Sequence, residues 1–315
     1  MQSHDQSTSL RGQTVLVTGG AGFVGSHIAD ALVPENEVRV LDNLSNGSEE
    51  NVPDDATFVR GDLRDSTVVA DVMDGVDLVF HQAGLVSVPA SVERPVESHQ
   101  QNVAATLDVL ERARAEDARV VLASSVAIYG DPVNLPITEN HPKTPTSPYG
   151  LDKLAIDHYA RLYHDHYGLE TVALRYFNVY GPRQAGGEYS GVISAFLEQA
   201  RSGQPLTVHG DGEQTRDFVH VSDVVRANLA AATTDEVGTA FNIGTGESIT
   251  IRELAEVVRN AAGPACDVVH TDPRPGDIER SRADITRARR VLDYEPTVSL
   301  DEGIRALAGA PAANR

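Results

Sequence analysis

Tyr149 and Lys153 stand four positions apart, with Ser125 upstream of them, and side chains of these types can together move a proton. On a helix that spacing sets the phenol and the ammonium on one face, a turn apart. A tyrosine phenol ionises near pH ~10, too high for a base at neutral pH, and a neighbouring ammonium favours the phenolate. Lys153 is one of only two lysines, the other being Lys143, in a chain that otherwise uses arginine. A lysine so specifically retained points to a role that arginine cannot fill. Ser125 closes the apolar stretch Arg119–Ala123 and its Ser124 neighbour. A hydroxyl at a strand's carboxyl end can bond an oxygen that gains and loses its proton.

Positioning these groups requires strands and helices in alternation. Gln13 to Thr18 is short, apolar and β-branched, and Phe23 to Leu32 repeats apolar residues at helical spacing. Strand-like runs recur at Glu37–Leu41, Ala56–Val59, Asp77–Phe80, Arg119–Ala123 and Glu170–Arg175, with helical spacing over Arg64–Met73, Val96–Arg114 and Tyr149–His166. Strands joined by helices need crossover connections, which predicts a doubly wound, Rossmann-like parallel sheet covered on both faces. After about Asn178 the pattern loosens, with helical spacing over Val221–Ala232, Ile251–Ala262 and Asp284–Leu292. This half is expected to form a smaller α/β lobe. The predicted division is residues 12–177 for a dinucleotide-binding domain, residues 178–310 for an interleaved substrate lobe, and residues 1–11 for a loose tail.

Between the first strand and helix lies Thr18-Gly19-Gly20-Ala21-Gly22-Phe23-Val24-Gly25, with glycines at 19, 22 and 25. Glycines let main chain approach a pyrophosphate closely, and the helix start aims free N–H groups and its positive dipole end at that anion. Asp42 closes the second strand about 20 residues on, where a carboxylate accepts from ribose hydroxyls and repels a 2′-phosphate. NAD is therefore expected rather than NADP, and its cationic ring would add to the pull on the Tyr149 proton. Asp62 follows the third strand and is placed toward the adenine.

The net charge of −20 disfavours nucleic acid and anionic membranes as partners. No apolar run is long enough to span a bilayer, and the polar first residues do not form a secretory signal. The lone Cys266 reads as core filling, no Cys/His cluster has metal-ligand spacing, and a soluble cytoplasmic protein follows. The acidic, lysine-poor composition also suggests a protein kept soluble in high salt.

Taken together, TGGAGFVGSH, LDNLSNG, GDL, VFHQAGLVSVPASVERP, SSVAIYG, YGLDK, LRYFNVYGPRQ, GDGEQTRDFVHVSD, FNIGTGES and RPGDI resemble the extended short-chain dehydrogenase/reductases, in the branch of the UDP-glucose 4-epimerases. The likeness spans Gly12 to Ile304. It implies a UDP-sugar substrate, inversion at C4 through a 4-keto sugar, and a homodimer formed through a helical face. It assigns Ser125, Tyr149 and Lys153 to catalysis. Gly19, Gly22, Phe23, Val24, Gly25, Asp42, Asn43, Asp62, Leu63, Gln82, Ala83, Asn102 and Phe177 fall at cofactor contacts, along with Tyr149 and Lys153. Arg216, Arg274 and Asp277 fall at the diphosphate and uridine ribose, Asn178 at the phosphate or sugar, and Ser281 beside the C2 substituent. A small Ser281 in place of a bulky tyrosine leaves room for an N-acetyl group.

Two departures from the pattern bear on the reaction. Related dehydratases and decarboxylases carry acidic residues where this chain has Val126 and Ala127, neither of which exchanges a proton. Val86 replaces a lysine common near the nicotinamide ribose. Uronate epimerase, decarboxylase, reductase and non-catalytic dinucleotide sensor remain as alternative readings of the same motifs.

Overall fold

The computed structural model describes residues 10–184, 191–262, 266–273 and 278–309. The first half runs β1 (Thr14–Thr18), α1 (Phe23–Leu32), β2 (Glu37–Asp42), β3 (Thr57–Arg60), α2 (Ser66–Met73), β4 (Leu78–His81), α3 (Val88–Glu93), α4 (Pro95–His99), α5 (Ala105–Glu116), β5 (Arg119–Ser125), α6 (Pro148–Tyr167) and β6 (Thr171–Tyr176). The second runs β7 (Asn178–Tyr180), α7 (Val192–Arg201), β8 (Leu206–His209), β9 (Thr215–Arg216), β10 (Phe218–His220), α8 (Val221–Thr233), β11 (Thr239–Ile243), β12 (Ile249–Thr250), α9 (Ile251–Ala262), β13 (Val268–Thr271), α10 (Thr286–Leu292) and α11 (Leu300–Gly309).

Seven strands form one parallel sheet in the order β11-β6-β5-β4-β1-β2-β3. Because successive strand side chains point to opposite faces, each strand feeds two cores. Val15, Val17, Val38 and Val40 pack with Ile28 of α1 and Val224 of α8. Leu16, Leu41, Val79 and Val120 pack with Val69 of α2, Val109 of α5 and Ile156 of α6. This is the doubly wound architecture that the spacing predicts. The strand order reverses between β1 and β4, which opens a crevice at their carboxyl ends.

The second half is divided. β11 and α8 return to the main sheet, whereas α7, α9 and α11 surround a separate core with Phe196, Val208, Leu254, Ile304 and the buried Cys266. Three small two-stranded sheets, β7 with β10, β9 with β12 and β8 with β13, tie this part together. Three elements differ from the sequence reading. α7 and β11 lie where the pattern is loose. The single helix expected over Val96–Arg114 is instead α4, a π-helical turn Gln100–Ala104 and α5. That wider turn is marked by the Ala105 N–H donating to Gln100 O, and it carries Asn102.

Candidate functional site

The crevice opens into a cleft of about 580 Å3 that collects the carboxyl ends of β1, β2, β4, β5 and β6. At its floor, α1 starts from Gly22 with no side-chain cap, so the first N–H groups of the helix lie open to an anion. Two glycines make the turn possible. Gly19 has φ +69°, and a Cβ on Gly25 would lie 2.2 Å from Gly19 O. Asp42 accepts from Ala21 N at Oδ2 (3.0 Å) and from Leu44 N at Oδ1 (2.8 Å), which fixes its carboxylate while leaving lone pairs for hydroxyls. Open helix N–H groups, close main-chain packing and a fixed acid at the second strand's end all suit a dinucleotide.

Gly19, Gly22, Phe23, Val24, Gly25, Asp42, Asn43, Asp62, Leu63, Gln82, Ala83 and Phe177 all line the cleft. Asp62 binds Arg64 through Nε (2.8 Å) and Nη2 (2.7 Å) and accepts from Asn43 Nδ2 (3.0 Å). The Arg64 hydrogen bond, against the opposing effect of burial, holds the Asp62 carboxyl well below the ordinary range. Gln82 is oriented by Tyr176, whose hydroxyl donates to Oε1 (3.1 Å), and by donation from Nε2 to Asn228 Oδ1 (3.2 Å). Asn102 is buried and is not part of the cleft wall. Its Oδ1 accepts from Leu85 N (3.0 Å) and its Nδ2 donates to Leu85 O (3.1 Å), so it acts on the turn at residues 84–85.

Ser125, Tyr149 and Lys153 meet in the same cleft. β5 ends at Ser125, and α6 begins sharply at Pro148 because the Ser147 hydroxyl caps it by accepting from Gly150 N (3.1 Å). Ser125 Oγ in turn accepts from Ala127 N (3.2 Å). Lys153 donates from Nζ to Ala123 O (3.0 Å) and lies 6.0 Å from the Tyr149 ring centre. All three residues are buried.

Burial raises the Tyr149 phenol above its ordinary value, and only the Ser125 hydroxyl opposes it. Burial also draws Lys153 down to about 8, against the pull of the Asp152 carboxylate. Desolvation therefore dominates, and the side chains alone do not lower the phenol's pKa.

Sequence reasoning passed over the pair beneath these groups. Asp157, one turn beyond Lys153 on α6, accepts from Arg175 Nε and Nη2 (both 2.8 Å) and from Ser124 Oγ (3.0 Å). Arg175 also donates from Nη1 to the Tyr129 hydroxyl and to Glu139 O (both 2.9 Å). A charged residue inside the apolar strand run TVALRY was the available signal, since an arginine there must find an acid.

Toward the second half, Asn178 lines the cleft, whereas Arg216 and Ser281 are buried outside its wall. Arg216 Nη1 donates to Thr215 O (2.8 Å), and Ser281 N donates to the same oxygen (3.1 Å). Arg274 and Asp277 lie outside the described residues. Ser87, Arg183 and Gln184 also line the cleft and were not singled out beforehand. Among the described residues no group of three or more His, Cys, Asp or Glu could hold a metal, and no helix is long and apolar enough to cross a membrane.

The profile of the NAD dependent epimerase/dehydratase family matches residues 15–244. The chain is 38% identical over 298 residues to a UDP-glucose 4-epimerase of Mycolicibacterium smegmatis, covering 92% of this chain and 95% of that one. A Thermus thermophilus UDP-glucose 4-epimerase solved with NAD superposes with a TM-score of 0.88 at 42% identity, over 94% of this chain and 97% of that one. A UDP-N-acetylglucosamine 4-epimerase from Methanobrevibacter ruminantium gives a TM-score of 0.91 at 37% identity, over 95% and 97%. Similar chains also include a UDP-glucuronic acid decarboxylase of Arabidopsis thaliana and a UDP-glucuronic acid 4-epimerase of Bacillus cereus.

Proposed function

We propose, from the premise that the chain belongs to the NAD dependent epimerase/dehydratase family, that it inverts C4 of UDP-hexoses, interconverting UDP-glucose and UDP-galactose. The observation that carries this reading is the convergence of Ser125, Tyr149 and Lys153 beside an uncapped, glycine-walled helix start, with Val126 and Ala127 following Ser125. Elimination of water or loss of a carboxylate would call for an acid or base where those two apolar side chains stand.

In the proposed cycle Tyr149 takes the proton of the C4 hydroxyl, and Ser125 holds that oxygen or relays the proton. Lys153 supports the phenolate and orients the nicotinamide ribose. Bound NAD supplies the hydride acceptor and then the donor. The 4-keto sugar turns about its diphosphate link and is reduced on the opposite face, so there is no net redox change. Asn178 and Arg216 hold the diphosphate and sugar, together with Arg274 and Asp277. Arginine suits this task because its planar fork pairs with anionic oxygens. Residues 12–177 serve the dinucleotide, and residues 178–310 mainly serve the nucleotide sugar.

Three further readings accompany this one. Ser281, being small, admits the N-acetylated pair. The exposed Val92, Val96, Leu151 and Leu162 on α3, α4 and α6 form the face of a homodimer. A net charge of −20 with two lysines fits a protein that works in the cytoplasm of a high-salt cell. The test incubates the protein with NAD and a panel of UDP-hexoses and separates the products by chromatography. C4 epimers with flat NADH absorbance are expected; accumulation of NADH, release of carbon dioxide, or cofactor binding without any turnover would overturn the reading.

A further inference from the structure

Asp217 separates β9 from β10 and is completely buried, yet it is not part of the cleft wall. Its carboxylate collects four donors. Oδ1 accepts from Thr245 N (2.8 Å) and Thr245 Oγ1 (2.7 Å), and Oδ2 accepts from Gly246 N and Ala283 N (both 3.0 Å). Its main-chain oxygen accepts twice from Asn178, from N (3.0 Å) and from Nδ2 (3.1 Å). A Cβ on Gly244 would lie 2.9 Å from both Asp217 Oδ2 and the Ala283 side chain, so the segments are pressed closely together.

One residue thus joins four stretches of chain: Asn178 just after β6, Arg216 on β9, the turn after β11, and Ala283, two positions beyond Ser281. Those stretches hold Asn178, Arg216 and Ser281, which the proposed function gives to the nucleotide sugar. We infer that Asp217 is a positioning residue for the nucleotide-sugar contacts: its main-chain oxygen holds Asn178 and its carboxylate ties the turn after β11 to the segment of Ser281, so that Arg216, Asn178 and Ser281 keep register with one another. The inference rests on the assignment of those residues to a UDP-sugar, and it adds a residue that does not itself touch the ligand. A carboxylate suits the place because both oxygens must accept. An asparagine keeps the shape but turns an NH2 group toward two donors, leaving one pair of hydrogen bonds unmade.

The experiment compares wild type with Asp217→Asn, measuring UDP affinity by calorimetry, NAD content of the purified protein, and KM and kcat for the UDP-hexose turned over. The expected result is a loss of UDP affinity and a rise in KM of roughly tenfold or more, with kcat and NAD content close to wild type. Unchanged UDP affinity, or a fall in kcat alone, overturns the inference. So does loss of NAD in step with UDP, which would mean a general role in the fold. If Asp217→Asn does not fold, Thr245→Val decides, since it removes only the Oγ1 donor and keeps the main-chain N–H; a selective weakening of UDP supports the inference, and unchanged affinity overturns it. Wild-type turnover separates the two ideas: if wild type bound UDP but epimerised nothing, and Asp217→Asn still weakened UDP, the positioning role would stand while the proposed function fell.

Discussion

Asp157→Asn is the most informative test of what holds the proton-handling groups in place. The Asp157 and Arg175 side chains are 0% and 2% exposed, and two 2.8 Å hydrogen bonds join them. Burial alone would raise the Asp157 carboxyl, and Arg175, with smaller help from Arg161 and Ser124, more than reverses that, leaving it below its usual value. Its contribution to stability is therefore fully present at neutral pH and is lost as pH falls through the acid range. Asparagine keeps one accepting oxygen but leaves the guanidinium charge uncompensated, and breaking such a buried pair costs about 3–5 kcal/mol. With an unfolding entropy of about 2.1 cal/mol/K per residue, a chain of 315 residues should lose roughly 5–8 °C in Tm. Urea unfolding at neutral pH reads the free energy, and calorimetry reads Tm. The control is Asp301→Asn, whose ion pair with Arg305 has side chains 51% and 67% exposed and should change stability by about 0.5 kcal/mol or less. A loss below about 1 kcal/mol for Asp157→Asn would refute the view that this pair pins α6 to β5 and β6.

Tyr149→Phe should lower turnover roughly 10²–10⁴-fold while NAD content is retained, and undiminished activity would remove the phenol from the chemistry. Ser281→Tyr should reduce turnover of UDP-N-acetylhexoses more than that of UDP-hexoses, and equal loss on both would defeat the pocket argument. His81 should make folding acid-sensitive. Thr106 is already donating to Asn102 O (2.5 Å), so it accepts from His81 Nε2, and Nδ1 accepts from the Thr18 hydroxyl; both contacts are 2.8 Å. Burial, assisted by the Lys153 charge, lowers His81 to about 3. A histidine depressed in the folded state contributes stability that is present above its ordinary pKa near ~6.5 and lost as pH falls toward the folded value, by up to about 1.4 kcal/mol per pH unit. Urea unfolding between pH ~6.5 and pH ~4.5 should show a shallower decline for His81→Gln than for wild type, and equal slopes would sink the assignment.

The first half of the fold was legible because its periodicity is local. β1, the glycine turn and α1 are one contiguous run, and each later strand is a short apolar block set off by polar turns. β11 was not legible, because the run TAFNI reads as a central strand only when α8 has carried the chain back to β6. The π-helical turn escaped for a similar reason. The periodicity of residues 96–114 is helical throughout, and Asn102 meets Leu85 through contacts that link distant parts of the chain. Residue types at the site followed the same division. Tyr149, Lys153 and Asp42 show themselves by spacing, whereas Asp157 and Arg175 are recognisable as partners only when β6 lies against α6.

The charge state of the site was the least accessible feature, because it depends on burial rather than on residue type. The expected fall in the phenol's pKa called on the Lys153 ammonium and the cationic nicotinamide ring together; among the side chains alone, burial raises the phenol and lowers the amine. Burial disfavours both charged forms, yet an amine at about 8 keeps its proton at neutral pH, so it is the phenol that burial holds neutral. Lys153 is also committed to Ala123 O, and among the described residues lining the cleft the other cations, Arg64 and Arg183, are engaged by Asp62 and Asp30. A further positive charge entering the cleft with its ligand would favour release of the Tyr149 proton. A cationic nicotinamide ring would supply such a charge to Tyr149 in the base role proposed for it.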